Sequence, residues 1–301
     1  MRKNQLGSSE LYVSEIGLGC MSLGTDEAVA TELVSEALDR GVNLLDTADL
    51  YDEGRNEELV GKAIQGRRDQ VILATKVGNR RVPGKEGWIW DPSKSYIKTA
   101  VKDSLRRLNT DYIDLYQLHG GTLDDPLDET IEAFEELKQE GLIRYYGISS
   151  IRPNVIREYV KRSNIVSVMS QYSILDRRPE EEVLDLLAQN EISLIARGPV
   201  ARGILSDGGK AKAEKGYLDY RQQELEDILV QFAEAAHGAD LSKTAIRYAL
   251  SHAAVACAIP GASSLDQLRA NIAAGDMPEL TTQQVQTLQT ISRANRYDAH
   301  R

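Results

Sequence analysis

The sequence predicts a single (β/α)8 TIM barrel, and three observations predict it. Eight short apolar runs recur along the chain, helix-patterned segments alternate with them, and polar or ionisable residues stand directly after several of the runs. With 301 residues, 42% of them hydrophobic, one large core is the natural solution, so residues 1–301 are expected to form one domain with an N-terminal β-hairpin and an extra C-terminal helix.

The elements follow in order. Ile16–Cys20 is the first strand; Asp26 then N-caps a helix whose inner face is Leu33, Val34, Ala37 and Leu38, with Gly41 as its stop. Val42–Asp46 is the second strand, followed by a helix near Asn56–Gln65. Val71–Lys76 is the third, and a loop leads to a helix from about Ser93 that buries Ile97, Val101, Leu105 and Leu108. Tyr112–His119 is the fourth strand. Helix Asp128–Glu140 turns Ile131, Phe134 and Leu137 inward and stops at Gly141; strand Ile143–Ser149 and a helix starting near Pro153 follow. Ile165–Gln171, Ile192–Ala196 and Val255–Ile259 complete the strands, and Leu280–Ser292 is the terminal helix.

Two connections are long. Gly78–Pro92 carries Trp88 and Trp90 among Gly, Pro and charged residues, and Ser206–Arg221 is rich in Gly, Lys and Tyr. Both follow strands, so both are expected to overhang the face where strand ends converge.

Composition narrows the classes of function. Lys and Arg number 36 against 46 Asp and Glu, a formal charge of -10, which argues against a nucleic-acid or anionic-membrane surface. The 2 cysteines, Cys20 and Cys257, lie far apart in apolar surroundings, as in a reducing compartment. No run is long enough to span a bilayer and the N-terminus lacks a signal-peptide core, so a cytoplasmic location is expected. No His or Cys group has metal-ligand spacing, so no metal is expected.

Asp46, Tyr51, Lys76 and His119 carry the chemistry. In a parallel barrel the carboxyl ends of the strands share one rim, so a carboxylate, a phenol, an ammonium and an imidazole separated in sequence converge there. A phenol ordinarily titrates near ~10; a neighbouring cation favours its phenolate and is expected to lower that value, while a carboxylate holds the lysine charged. Asp46 and Lys76 alone read equally well as a structural ion pair, and Tyr51 is one of 13 tyrosines; their shared position argues for function. His237, His252 and His300 read as solvated or packing residues on helices or the tail. Asp114, of opposite strand parity to His119, is expected to face the helices.

The strings Gly17-Leu18-Gly19-Cys20-Met21, Asp46-Thr47-Ala48-Asp49-Leu50-Tyr51, Asn56-Glu57-Glu58, Ala74-Thr75-Lys76, Asp114-Leu115-Tyr116-Gln117-Leu118-His119, Gly147-Ile148-Ser149-Ser150 and Ile259-Pro260-Gly261 occur in the order found in aldo-keto reductases. The chain resembles that superfamily over nearly its whole length, and especially its Bacillus-type reductases. The resemblance implies an NADPH-dependent reductase of aldehydes or ketones, with NADH the lesser cofactor, Tyr51 as general acid and base, Lys76 and Asp46 tuning it, and His119 donating to the substrate carbonyl. It implies cofactor contacts from Cys20, Met21, Asp46, Ser149, Ser150 and Gln171. The loop Arg197, Gly198, Pro199, Val200, Ala201, Arg202 and Gly203 resembles the pyrophosphate belt, with Arg197 either stacking on the nicotinamide or approaching the pyrophosphate. Gly261, Ala262, Ser263, Gln267 and Asn271 match the adenosine-phosphate site. Gln267 stands where many relatives have arginine and Ala270 where many have glutamate; Arg269 is a possible substitute cation. Ser150 replaces a usual asparagine.

The substrate pocket is expected to include Met21, Tyr51, Trp88, Trp90 and His119, and the protein to be a monomer or weak homo-oligomer whose partner is a small carbonyl compound. The competing reading is a non-catalytic NADPH-binding subunit resembling those of potassium channels; retention of all four active-site residue types argues against it. A metal-dependent hydrolase lacks ligands, and a serine hydrolase lacks a nucleophile elbow.

Overall fold

A computed structural model describes residues 1–82, 84, 86–236 and 238–301. The hairpin comes first: β1 (Lys3–Gln5) pairs antiparallel with β2 (Tyr12–Ser14). Leu6, Leu11 and Val13 are buried from it against the inward side chains of the barrel strands, including Leu44, Leu115, Met169 and Ile195, so the hairpin plugs the base of the barrel.

β3 (Leu18–Gly19) is followed by a short 3-10 turn at Cys20–Ser22 and by α1 (Glu27–Asp39), which Asp26 caps by accepting from the Val29 N–H. Next come β4 (Leu44–Asp46), α2 (Arg55–Ala63) and β5 (Ile72–Val77). The connection after β5 is a small hairpin of its own, β6 (Asn79–Arg80) with β7 (Ile89–Trp90), not an irregular loop. α3 (Lys94–Leu108), capped by Ser93, leads to β8 (Ile113–Leu118), α4 (Leu127–Gln139), β9 (Ile143–Ser149) and α5 (Pro153–Arg162), with proline at its first position as expected. β10 (Ser167–Gln171), α6 (Val183–Gln189) and β11 (Ser193–Arg197) follow. Between β11 and β12 (Val255–Ile259) stand α7 (Gly209–Ala213), α8 (Gln222–Ala235) and α9 (Leu241–Ala249). α10 (Leu265–Ile272) and the terminal α11 (Thr282–Ile291) end the chain.

The sheet order β12-β11-β10-β9-β8-β5-β4-β3 is parallel throughout, and bridges Ile16–Ala258 and Gly19–Gly261 join its two ends into a barrel. The eight expected strands are the eight observed: β9 and β12 keep the expected bounds, β5 and β11 are shifted one residue towards the rim, and β3, β4, β8 and β10 are shorter, β4 and β10 at their N-terminal ends. Three helices in the last long connection have no counterpart in the sequence reading. His237 lies outside the described residues; His252 is in the turn after α9, where its Nδ1 accepts from the Ala254 N–H.

The core has two layers, as a barrel requires: side chains inside the sheet, and side chains between sheet and helices. Asp114 faces that outer layer, accepting from Arg68, Arg144 and the Leu73 N–H. Asn56 and Glu57 act there too. Glu57 is fully buried, accepts from Thr75 Oγ1 at 2.6 Å and pairs with Arg107 at 2.6 Å; Asn56 links Thr47 to the Cys20 carbonyl. The Asn-Glu string thus braces β4 and β5 from behind.

Candidate active site

Where β4 and β5 end, Lys76 is buried with its ammonium shared among three acceptors: Asp46 Oδ2 at 2.7 Å, the Thr47 carbonyl at 2.7 Å and Tyr51 Oη at 3.3 Å. The other Asp46 oxygen accepts from Gln117 Nε2 at 3.3 Å. Gln117 was missed by the sequence reading although strand parity places it on the same side of β8 as His119. His119 stands edge-on to the Tyr51 ring, centroids 6.0 Å apart and planes at 82°. The four residues therefore converge, and the chain leaves Tyr51 through a left-handed stretch, Asp52, Glu53 and Gly54, with φ of 46°, 60° and 89°. Strain of this kind collects at sites whose geometry the rest of the fold over-determines.

The electrostatics differ from expectation at Tyr51. Burial pushes its phenol above the ordinary range; the Lys76 charge pulls it back and Asp46 pushes it up, and the net direction is upward, not downward. Burial works against the Lys76 ammonium, but Asp46 and then Tyr51 outweigh it and its net shift is upward, so it stays charged. Burial lifts Asp46, opposed by Lys76 and by the Gln117 hydrogen bond. His119 is held down to about 3 by burial and by the charges of Lys76 and Arg197. Its imidazole is neutral, and its Nδ1 is buried without a partner. A proton on Nδ1 would be a buried unsatisfied donor, which favours the tautomer with its single ring proton on Nε2.

A cavity of about 820 Å³ extends from Tyr51 and Asp46 along the ends of β10, β11 and β12. Of the expected cofactor residues, Met21, Asp46, Gln171, Arg197, Gly198, Pro199, Val200, Arg202, Gly203, Gly261, Ser263, Gln267 and Asn271 line it. Cys20, Ala201 and Ala262 do not: all three are buried in the core, with the Cys20 thiol against the Leu18 carbonyl. Ser149 and Ser150 sit buried at the β9 end outside the lining, and Ser150 Oγ accepts from the Arg152 N–H. Of the expected substrate pocket, Met21 and Tyr51 line the cavity while Trp88, Trp90 and His119 do not: Trp88 is exposed on the small hairpin, Trp90 is half-buried beside Gly120, and His119 lies beside the Tyr51 ring. Lining residues absent from the sequence reading include Lys212, Asp240 and Ser242, which reach the cavity only because of the α7–α9 excursion.

Gln171 Nε2 donates to the Tyr217 hydroxyl, Asn271 Nδ2 donates to the Gly261 carbonyl at 3.1 Å, and Gln267 Oε1 accepts from the N–H and hydroxyl of Ser263, each at 3.0 Å. Ser264 caps α10 beside them. Arg269 is turned away: its Nε pairs with Glu36 on α1 at 2.7 Å, so it is no substitute for an arginine at position 267. An elongated dinucleotide would find donors along this cavity and cations at Arg197, Arg202 and Lys212, beside the carboxylates of Asp207, Asp240 and Asp266, with the Lys212 and Ser22 side chains lying over Gly203 and Gly261. Among the described residues there is no group of three His, Cys, Asp or Glu able to hold a metal ion, and no helix long and apolar enough to cross a membrane.

Residues 15–293 match the aldo/keto reductase family. The chain is 57% identical to the uncharacterized oxidoreductase YqkF of Bacillus subtilis (strain 168), over 100% of both proteins, and 32% identical to the aldo-keto reductase YhdN of the same organism, over 90% of this chain and 87% of that one. Among solved structures it superposes on the holo form of aldo-keto reductase AKR11C1 from Bacillus halodurans with a TM-score of 0.96 and 60% identity, covering 100% of this chain and 99% of that one.

Proposed function

The chain belongs to the aldo/keto reductase family, and from that premise we propose that it is a single-domain enzyme reducing aldehydes or ketones to alcohols with NADPH, Tyr51 acting as general acid. One observation carries the reading: the Lys76 ammonium is within hydrogen-bond reach of both Asp46 and the Tyr51 hydroxyl. The upward shift of the phenol does not itself help it deliver a proton, since an ordinary phenol is already protonated at neutral pH; what supports the reading is the Lys76 charge, which opposes that shift and favours the phenolate. When that proton leaves, the phenolate is met by a fixed cation already 3.3 Å away, which needs no reorganisation. In the reverse direction the same phenol must first ionise, so oxidation favours more alkaline conditions.

His119, neutral with its proton on Nε2, donates to the carbonyl oxygen and orients it without competing as an acid. A bound nicotinamide supplies the hydride. Gln171 positions its carboxamide, Arg202 and Lys212 with the backbone near Gly203 hold the pyrophosphate, and Ser263, Gln267 and the α10 N-terminus hold the adenosine phosphate. Preference for NADPH then rests on hydroxyl, amide and helix-end donors, since Arg269 is engaged by Glu36.

Tyr51→Phe tests the acid. Turnover of a reactive aldehyde should fall by ~10² or more, while NADPH affinity measured by fluorescence titration changes by about twofold at most, because only a transferable proton has been removed. Near-normal turnover in that variant refutes the assignment. No aldehyde-dependent NADPH consumption by the unaltered chain would favour the non-catalytic subunit instead.

A further inference from the structure

The indole of Trp90 is gripped from two sides. Its N–H donates to Asp125 Oδ1 at 2.9 Å, and the same carboxylate accepts from the Thr122 N–H at 2.7 Å and the Thr122 hydroxyl at 2.9 Å, so one side chain ties the β6–β7 hairpin to the loop after β8. The benzo edge of the ring lies on bare backbone. A Cβ at Gly78 would stand 2.5 Å from Cζ3, and one at Gly120 would stand 3.2 Å from the same atom. Gly120 directly follows His119; Gly78 directly follows Val77, whose carbonyl accepts the His119 N–H at 2.7 Å. Both glycines have φ in the left-handed half, +126° and +144°, so neither place accommodates a side chain in the ring's stead. The Asn79 amide, opposite Trp90 in the hairpin, reaches the His119 carbonyl at 3.5 Å.

The imidazole itself has little to aim it. Its Nδ1 has no partner, and its near neighbour, the Tyr51 ring, meets it edge-on without a hydrogen bond. A side chain that no hydrogen bond fixes takes its direction from its backbone and its packing. We propose that Trp90 is a positioning residue for His119: the indole, anchored through Asp125, clamps the backbone on both sides of His119 and so fixes where the imidazole points. This rests on the reductase reading above, and it gives Trp90 a different task from the substrate wall that the sequence suggested.

Trp90→Phe keeps a ring and deletes the N–H; Asp125→Ala releases the clamp from the other side. In the full chain, with NADPH and an aromatic aldehyde, kcat should fall about tenfold in each variant while KM and NADPH affinity stay within about twofold, because small misplacements of a catalytic group act on the chemical step. In a His119→Ala background the Trp90→Phe change should alter kcat by less than about twofold, since no imidazole is left to aim. A second readout is independent of turnover: with only 4 histidines in the chain, the His119 ring resonances are assignable by NMR, and in Trp90→Phe they should shift and titrate closer to an ordinary histidine. Unchanged kcat in both variants, an undiminished effect without His119, or an unmoved His119 resonance each overturns the proposal. Absence of aldehyde reduction by the unaltered chain would instead overturn the reductase reading, and the resonance would still decide the role of Trp90.

Discussion

Two ion pairs in this barrel are matched in length and burial and differ in their company. Lys76–Asp46 measures 2.7 Å and Arg247–Glu15 measures 2.8 Å, and in each the cation side chain is 1% exposed and the carboxylate 4%. The first stands at the rim and touches a phenol. The second lies at the opposite end, where β11 and β12 begin, beside a cavity of about 370 Å³, and its guanidinium spans both oxygens of Glu15 while Arg2 adds a third contact at 3.2 Å. A buried pair by itself is thus no sign of function. On the function proposed above, a weakly acidic third group within reach of the cation would turn a structural pair into a proton-transfer device, and Arg247 has no such neighbour among its described hydrogen bonds.

The largest expected effect breaks the first pair. Lys76→Met should lower turnover by ~10³ or more by removing the charge that stabilises the phenolate, and it leaves Asp46 buried and unpaired, so steady-state kinetics and thermal melts should both show the loss. Retained turnover would make the rim pair merely structural. Breaking the second should do the converse. Arg247→Met should reduce stability by about 3 kcal/mol in urea titration while kcat/KM changes by about twofold at most, because the cost is an orphaned Glu15 far from the rim. A collapse of kcat/KM in protein shown to be folded would erase the contrast.

The smallest effect concerns a buried carboxyl with neither kind of pairing. Asp49 Oδ1 is buried without a partner, and burial, then repulsion from Glu57, pushes the carboxyl up to about 8 despite the charge of Arg107. The folded chain therefore keeps a proton that the unfolded chain releases. Wild-type stability should fall as pH rises from the ordinary carboxylate range to about 8, and Asp49→Asn should escape that fall; the residue is half-buried, so screening by solvent keeps the difference to about 1 kcal/mol over the whole range. Denaturant titrations at pH 4.5 and about 8 check the sign; an advantage that shrinks with pH would contradict it.

What could be read from sequence was whatever a strand end fixes. Asp46, Lys76 and His119 were legible because the residue closing a parallel strand lands on one rim whatever the loops do. Gln117 was legible in principle, two residues before His119 on the same face, but an amide gives no chemical alarm. The net direction at Tyr51 was not legible, because it balances burial against charge and burial exists only in the folded chain. Arg269 was ambiguous for a similar reason: its partner Glu36 is 233 residues away, brought close by the packing of α10 on α1. Lys212, Asp240 and Ser242 lay in a connection whose helices are amphipathic enough to be found but whose path across the rim no periodicity specifies.

That path has one tight spot. Gly209 opens α7 so near the preceding loop that a methyl there would fall 1.7 Å from the Ile204 carbonyl oxygen, and one at Gly203 would fall 2.3 Å from the Lys212 ammonium. The wall over this end of the cavity is therefore buttoned by two missing carbon atoms, main chain resting on main chain at Gly209 and a lysine side chain resting on main chain at Gly203. Its fit is set by the smallest residues in the connection, and drift at either position would unfasten a cation from the cavity without touching any residue that performs chemistry.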